Sequence, residues 1–390
     1  MALTLTALIA WNYWIPIGVV TSPVFYVFGS GDFYVFRRAG ELWLAHLNPY
    51  TLNGVTTGFI YPPTFLPLFG LLALIDFRLS SELWLLLYLS VFAVAFLVLG
   101  RTVDAERKRL YVLTAILLFI TSYPVISLIE DGQIDLLVAA VAILGLALHR
   151  KGHSFASAFA LSLATLLKGT AFVLLIYFVL FYRDVRYLGY FLVSTLAIVG
   201  ASLLLVPVDL YWYYLVNVLP KLSIAGNQGT FEIAGTISIV KFFSIAGLSS
   251  ITPVVSIIGF IVFGIFAFWA GSRTSQSISR RPIFADALFL MNVLVMLQFI
   301  ARTWNHSYVW VILPVALTLS ALLMEKVNAW YLAVLGLAIF MLNSINELKL
   351  YGSGSLPAFQ EPLEIIGNVI LTFALAVIYV RPSIIFKIDD

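Results

Sequence analysis

The chain has 390 residues, 62% hydrophobic and 11% charged, with a mean hydropathy of +1.03. A soluble domain is about 25% charged, and an apolar surplus of this size is hidden only in lipid, so the composition predicts a polytopic membrane protein. The net charge of +3 is too small and too dispersed for a nucleic-acid partner, and the lack of cysteine excludes disulfides, thiolate metal sites and cysteine nucleophiles.

A spanning helix needs roughly 20 apolar residues. In chain order the predicted spans are 4–28, 82–100, 110–128, 133–149, 187–206, 250–272, 283–300, 306–324, 328–344 and 363–381. Residues 4–28 are too long and aromatic for a removable signal peptide, and they lack a basic start, so they are expected to be a retained first span. Residues 153–182 form one apolar run broken at Lys168-Gly169, too long for a single span, and are read as two short helices. That makes about 12 transmembrane helices. The segment 62–76, with prolines at 62, 63 and 67, is expected to lie along or dip into the membrane surface without crossing.

With that choice, alternate short loops hold Arg101, Arg107, Lys108, Arg109, Arg150, Lys151, Arg183, Arg186, Arg273, Arg280, Arg281, Lys326, Arg381 and Lys387, which is 14 of the 22 basic residues. The positive-inside rule then puts these loops and both termini in the cytoplasm. The longer polar segments, 29–81, 129–132, the break at 167–169, 207–249, 301–305 and 345–362, collect on the opposite, extracytoplasmic face. The sequence has no soluble domain and no internal repeat, so one integral membrane domain over 1–390 is expected, with 29–81 as a first outer loop carrying interfacial helices.

That loop opens with GSGDFYVFRRAGELW, residues 29–43, where charges arrive beside a membrane span. Arg37 and Arg38 lie four and three residues before Glu41, a spacing that pairs them on one helix face, with Phe33, Phe36 and Trp43 turned toward lipid or protein. No GxxxxGK, complete GxGxxG, DxD or HExxH occurs, so nucleotide and metal motifs are absent. His149 and His153 have i, i+4 spacing but flank Arg150-Lys151, which favours a solvated turn over a metal site.

Along the outer face come Asp32, LNPY at 47–50, YPP at 61–63, DGQ at 131–133, LLKG around Lys168, NQGT at 227–230 and TWNH at 303–306. This order resembles the GT-C glycosyltransferases, and among them the polyprenol-phosphate-mannose-dependent α-mannosyltransferases that include the enzymes of phosphatidylinositol-mannoside synthesis. The likeness covers residues 29 to about 320. Two departures stand out: NQGT where the family has NQS, and Leu47 where a Gly is common before NPY. The resemblance implies an all-α GT-C bundle. It also implies an inverting transfer of a hexose, mannose first, from a polyprenyl-phosphate donor to a lipid or glycan acceptor, with no cofactor and no metal. On this reading Asp32 is the catalytic base, and Lys168, Arg302 and His306 bind the donor phosphate. Tyr61, Gln133, Asn227 and Gln228 are candidates for the sugar or acceptor.

Each residue also has a structural reading. Asp32 precedes an apparent helix and suits an N-cap, where a helix N-terminus would lower its pKa. Lys168 interrupts an apolar run; a cation at the bilayer centre costs roughly 2.5–3.5 kcal/mol, so it either meets an anion or snorkels to the surface. Arg302 and His306 flank Trp304, and Trp304 and Tyr308 suit interfacial anchors. Glu130, Asp131 and Asp135 sit at the start of a span, where acids need no functional reason. Tyr50 and Tyr61 either stack on a sugar or sit at the membrane interface. A transporter or flippase of lipid-linked sugars is the rival function, since broken helices also mark transport sites.

Overall fold

The computed structural model describes residues 31–51, 58–223, 238–239, 243, 247–273, 282–300, 303–343 and 357–386. The predicted first span at 4–28, together with Asn227, Gln228 and Arg302, lies outside the described residues. What is described is helical, with no strand and a single isolated bridge between Val327 and Phe386.

Helix α1, Asp32–Leu44, is the first described element, and α2, Leu66–Ala73, follows a 3-10 turn at Pro63–Phe65. At eight residues α2 is too short to cross a bilayer on its own. Gly40 lets α1 press onto α2: a Cβ there would lie 2.2 Å from the Phe69 carbonyl oxygen. Phe36 stacks on Phe69 with ring centroids 5.1 Å apart and meets Tyr61 edge-on, so the aromatic face of α1 is turned into protein. On its other face Arg37 and Arg38 reach Glu41 at 3.2 and 2.9 Å.

Helix α3, Phe77–Gly100, is capped by Asp76, whose carboxylate accepts from the amides of Arg78 and Leu79. Helices α4, Ala105–Thr121, and α5, Tyr123–Asp131, meet at a 57° bend at Ser122, where Pro124 removes a backbone donor. Gly132, with φ 63°, ends α5 and turns the chain into α6, Asp135–Arg150.

The apolar run that follows stops where the sequence breaks it. Helix α7, Ser154–Leu167, ends at Lys168, which is extended; a 3-10 stretch, Gly169–Leu174, and a π-helical turn, Ile176–Phe181, continue the chain. Then come α8, Val185–Ser202; α9, Val208–Tyr213; α10, Leu219–Ser223; α11, Thr252–Arg273; and α12, Pro282–Phe299. A 3-10 segment, Asn305–Val311, leads into α13, Ile312–Met324, followed by α14, Ala329–Asn343, α15, Pro357–Val380, and the short α16, Pro382–Ile385.

Helices α6, α12 and α13 form the centre, with α6 packed on α3 and α7, and α13 on α4 and α12. Helices α8 and α11 present Leu192, Val193, Leu196, Ile257, Ile261 and Ile265 outward, each more than half exposed. Apolar rows of this kind belong against acyl chains. By length and hydropathy five described helices can cross a membrane, or six if the bent pair α4–α5 is one span, and five shorter apolar stretches accompany them. The protein is thus a multi-pass, all-helical membrane protein, and this count stands beside the sequence expectation of about twelve.

Two buried charge clusters mark the ends of α6, whose 16 residues span roughly 24 Å. At its C-terminal end Arg150 pairs with Asp286, and Arg107 reaches the other oxygen of the same carboxylate at 2.8 Å. Arg107 also donates to the Leu317 carbonyl oxygen at 3.0 Å. Of these two arginines, expected in cytoplasmic loops, Arg107 is buried and Arg150 half-buried, and they join α4, α6, α12 and α13. His149 packs its ring on Tyr182 and Phe178 there, so the solvated-turn expectation does not hold for it.

Candidate active site

The second cluster begins with Asp135, the first residue of α6 and 1% exposed. A buried carboxylate is stable only when donors surround it. Asp135 has several: Lys168 Nζ at 2.6 Å, Trp310 Nε1 at 3.1 Å and Ser307 Oγ at 3.5 Å. Lys168 is aimed inward by the extended backbone at the end of α7, and Ser307 and Trp310 come from the 3-10 segment before α13. The anion that the lone lysine requires is therefore a protein carboxylate, and Lys168 does not snorkel.

His306 enters from the same 3-10 segment and is buried. Its Nε2 lies 3.4 Å from Asp135 Oδ2 without hydrogen-bond alignment, so among the described residues this buried nitrogen has no hydrogen-bond partner. Its Nδ1 is 3.7 Å from Asp131 Oδ2. Trp304 stacks parallel to His306, at a centroid distance of 6.3 Å. Tyr308 is fully buried and accepts from Asn368 Nδ2 at 3.3 Å, so it is not the interfacial anchor that its position suggested.

Asp32 reaches this cluster because Gly31 lies directly on the end of α5. A Cβ at Gly31 would sit 2.3 Å from the Asp131 carbonyl oxygen. Gly31 also holds the N-cap position of α1, and Asp32 is the first helical residue, so the expected capping role falls away. Burial raises the Asp32 carboxyl from 3.8 to about 7; Lys168 acts against the rise, while Asp131 and Asp135 add to it. The depression expected at a helix N-terminus is outweighed by this burial. Asp131 is also raised, again by burial.

Tyr61 and Gln133 complete the wall. The Tyr61 hydroxyl reaches Gln133 Oε1 at 3.5 Å, and Asp32 acts electrostatically on that hydroxyl. The Tyr50 hydroxyl donates to the Tyr61 carbonyl oxygen at 2.9 Å, and both tyrosines are buried in protein, which corrects the membrane-interface reading. Trp84 Nε1 donates to the Gly132 carbonyl oxygen at 2.9 Å and pins the turn between α5 and α6.

Of the candidates read from sequence, Asp32, Lys168, His306, Tyr61 and Gln133 gather in one region. Asp131 and Asp135, read from sequence only as acids at a helix start, belong to it as well, and so do Ser307 and Trp310, which the sequence reading did not name. Asp135 carried one usable signal: a carboxylate heading a membrane helix, in a chain whose next apolar run holds a lone lysine. Chemically the cluster offers a carboxyl poised near neutral pH, a fixed ammonium, and an imidazole nitrogen with unused hydrogen-bonding capacity.

Comparison with known proteins adds one finding. The family model described as Glycosyltransferase family 87 matches residues 59–298, more than half of the chain. No curated protein and no solved structure matches it.

Proposed function

The chain belongs to glycosyltransferase family 87, and from that membership we propose that it moves a hexose, mannose first, from a polyprenyl-phosphate donor to a lipid-linked or surface glycan. The reaction takes place on the extracytoplasmic face of the cell membrane, with both termini cytoplasmic and about twelve spans in all. Asp32 takes the proton of the acceptor hydroxyl as its oxygen attacks C1 of the sugar. The C1–O bond to the phosphate breaks with inversion, and polyprenyl phosphate leaves as an anion that needs little acid assistance. Lys168, His306 and Arg302 hold the departing phosphate, and Tyr61, Gln133, Asn227 and Gln228 contact the sugar or acceptor.

The observation that carries this reading is the Asp32 carboxyl, held at about 7 beside the Lys168–Asp135–His306 cluster. A general base works best with a pKa near the working pH. The same shift eases donor entry, because a protonated Asp32 carboxyl repels a phosphate less. The unpartnered His306 Nε2 suits a hydrogen bond to a phosphate oxygen.

The test is transfer from labelled polyprenyl-phosphate-mannose to glycolipid acceptors by the purified chain. Wild type is expected to form product, and Asp32→Asn to lose it by roughly a hundred- to ten-thousand-fold. Undiminished transfer by Asp32→Asn removes the base assignment. Labelled lipid that crosses vesicles with no new product favours the flippase. Sidedness is read separately: a cysteine replacing Asp104 is expected to resist impermeant reagents applied from outside.

A further inference from the structure

A cavity of about 630 Å³ opens at the opposite end of α1 from Asp32. It lies between the segment leaving α1 and the region of α9, and Trp43, His46, Asn48, Asp209, Trp212 and Asn217 line it. The size suits a small-molecule or headgroup site. The chemistry is that of a sugar site: flat indole faces to stack on a ring, and amide, imidazole and carboxylate groups to bond hydroxyls. Among the described residues the lining carries the Asp209 carboxylate and no lysine or arginine, a balance that disfavours a phosphate. Its rim is apolar and outward-facing, with Leu47 53%, Leu205 63% and Trp212 70% exposed.

We propose that this cavity binds the non-reacting portion of an uncharged, extended glycan acceptor, a deepening that rests on the transfer reaction proposed above. Helix α1 has 13 residues, so roughly 20 Å separates Asp32 from the cavity. A single sugar does not bridge that distance; an oligosaccharide headgroup does. Packed side chains connect the two sites. Tyr213 lines the cavity and stacks on Tyr50 at 5.8 Å, Tyr50 bonds the Tyr61 backbone, and Tyr61 reaches Gln133. Asn48 Oδ1 already accepts from the Tyr50 amide at 2.9 Å, which fixes this asparagine and leaves its amino group for a ligand. Remote contacts of this kind hold an acceptor in register for attack.

The experiment uses the full chain in detergent with a ladder of manno-oligosaccharides from mono- to tetrasaccharide. Binding is followed by quenching of tryptophan fluorescence, and transfer is assayed in parallel. Affinity is expected to rise with length, and Trp212→Ala and Asn217→Ala are each expected to weaken tetrasaccharide binding at least tenfold and raise its KM. Trp212→Phe, which keeps an aromatic face, is expected to recover most of the loss. Binding independent of length, or a tetrasaccharide indifferent to Trp212→Ala, overturns the proposal; so does displacement of the ladder by anionic phospholipid vesicles. The ladder is also bound to Asp32→Asn without donor. A chain that binds it with this length and residue dependence but never transfers sugar sinks the enzymatic reading and leaves the cavity assigned. A chain that transfers sugar with a length-independent KM sinks the cavity alone.

Discussion

Lys168 Nζ stands 2.6 Å from Asp135 Oδ2, an ion pair joining the broken end of α7 to the first residue of α6. The contact ties the backbone break at Lys168 to the candidate site. A buried pair contributes little over an apolar pair of the same shape, but removing one partner leaves a stranded charge. Lys168→Met is therefore expected to destabilise the protein by about 3–5 kcal/mol, read as a lowered melting temperature in detergent. Lys168→Met combined with Asp135→Leu is expected to recover most of the stability and none of the transfer activity. Equal melting of the single and double variants would overturn the pairing.

The pH dependence of transfer follows from Asp32. Its carboxyl is raised to about 7, and only the ionised form accepts a proton, so kcat/KM is expected to climb from pH 6 to pH 8 with an apparent pKa near 7. A profile flat across that range contradicts the assignment.

Stability runs the other way. The folded protein keeps the Asp32 proton up to about pH 7, whereas the unfolded chain releases it near 3.8, so between those values folding binds the extra proton and stability falls as pH rises. Asp32→Asn removes that loss. The variant is expected to melt higher than wild type at pH 8, by an amount corresponding to at most about 4 kcal/mol, and the gap is expected to shrink toward pH 5.

At the other end of α6, Asp286 serves both Arg107 and Arg150. Asp286→Ala leaves the buried Arg107 and half-buried Arg150 guanidinium groups without their shared anion. A loss of about 3–5 kcal/mol is expected, with a normal acceptor KM in the fraction that folds. Thermal melting alongside transfer kinetics separates the two effects.

Gly40 touches backbone where a Cβ would stand 2.2 Å from the Phe69 oxygen, whereas a Cβ at Gly189 in α8 meets open space. Gly40→Ala is expected to cost about 1–3 kcal/mol and to reduce transfer by shifting α1 and Asp32. Gly189→Ala is expected to gain about 0.5–1 kcal/mol with no change in transfer. Matching effects at the two positions would show that contact with Phe69 is not the cause.

The sequence carried the broad architecture because lipid demands long apolar helices, and Lys168-Gly169 announced its break through a charge that is costly in the middle of a membrane helix. Partnerships were harder to read. Asp135 was hidden by a sufficient local explanation, an acid at a helix start, while its partners come from residues 33 to 175 positions away. Arg107 and Arg150 looked like loop charges because Asp286 sits far along the chain. For Asp32, proximity to a helix end argued for a low pKa, and only the packing of Gly31 on Asp131 reveals the burial that reverses it.

With an ion cluster locked at each end, α6 can neither slide along its axis nor turn about it without stranding charge. It is the stator of the protein: any rearrangement that opens the candidate site falls to the outer elements, which move about a fixed mast.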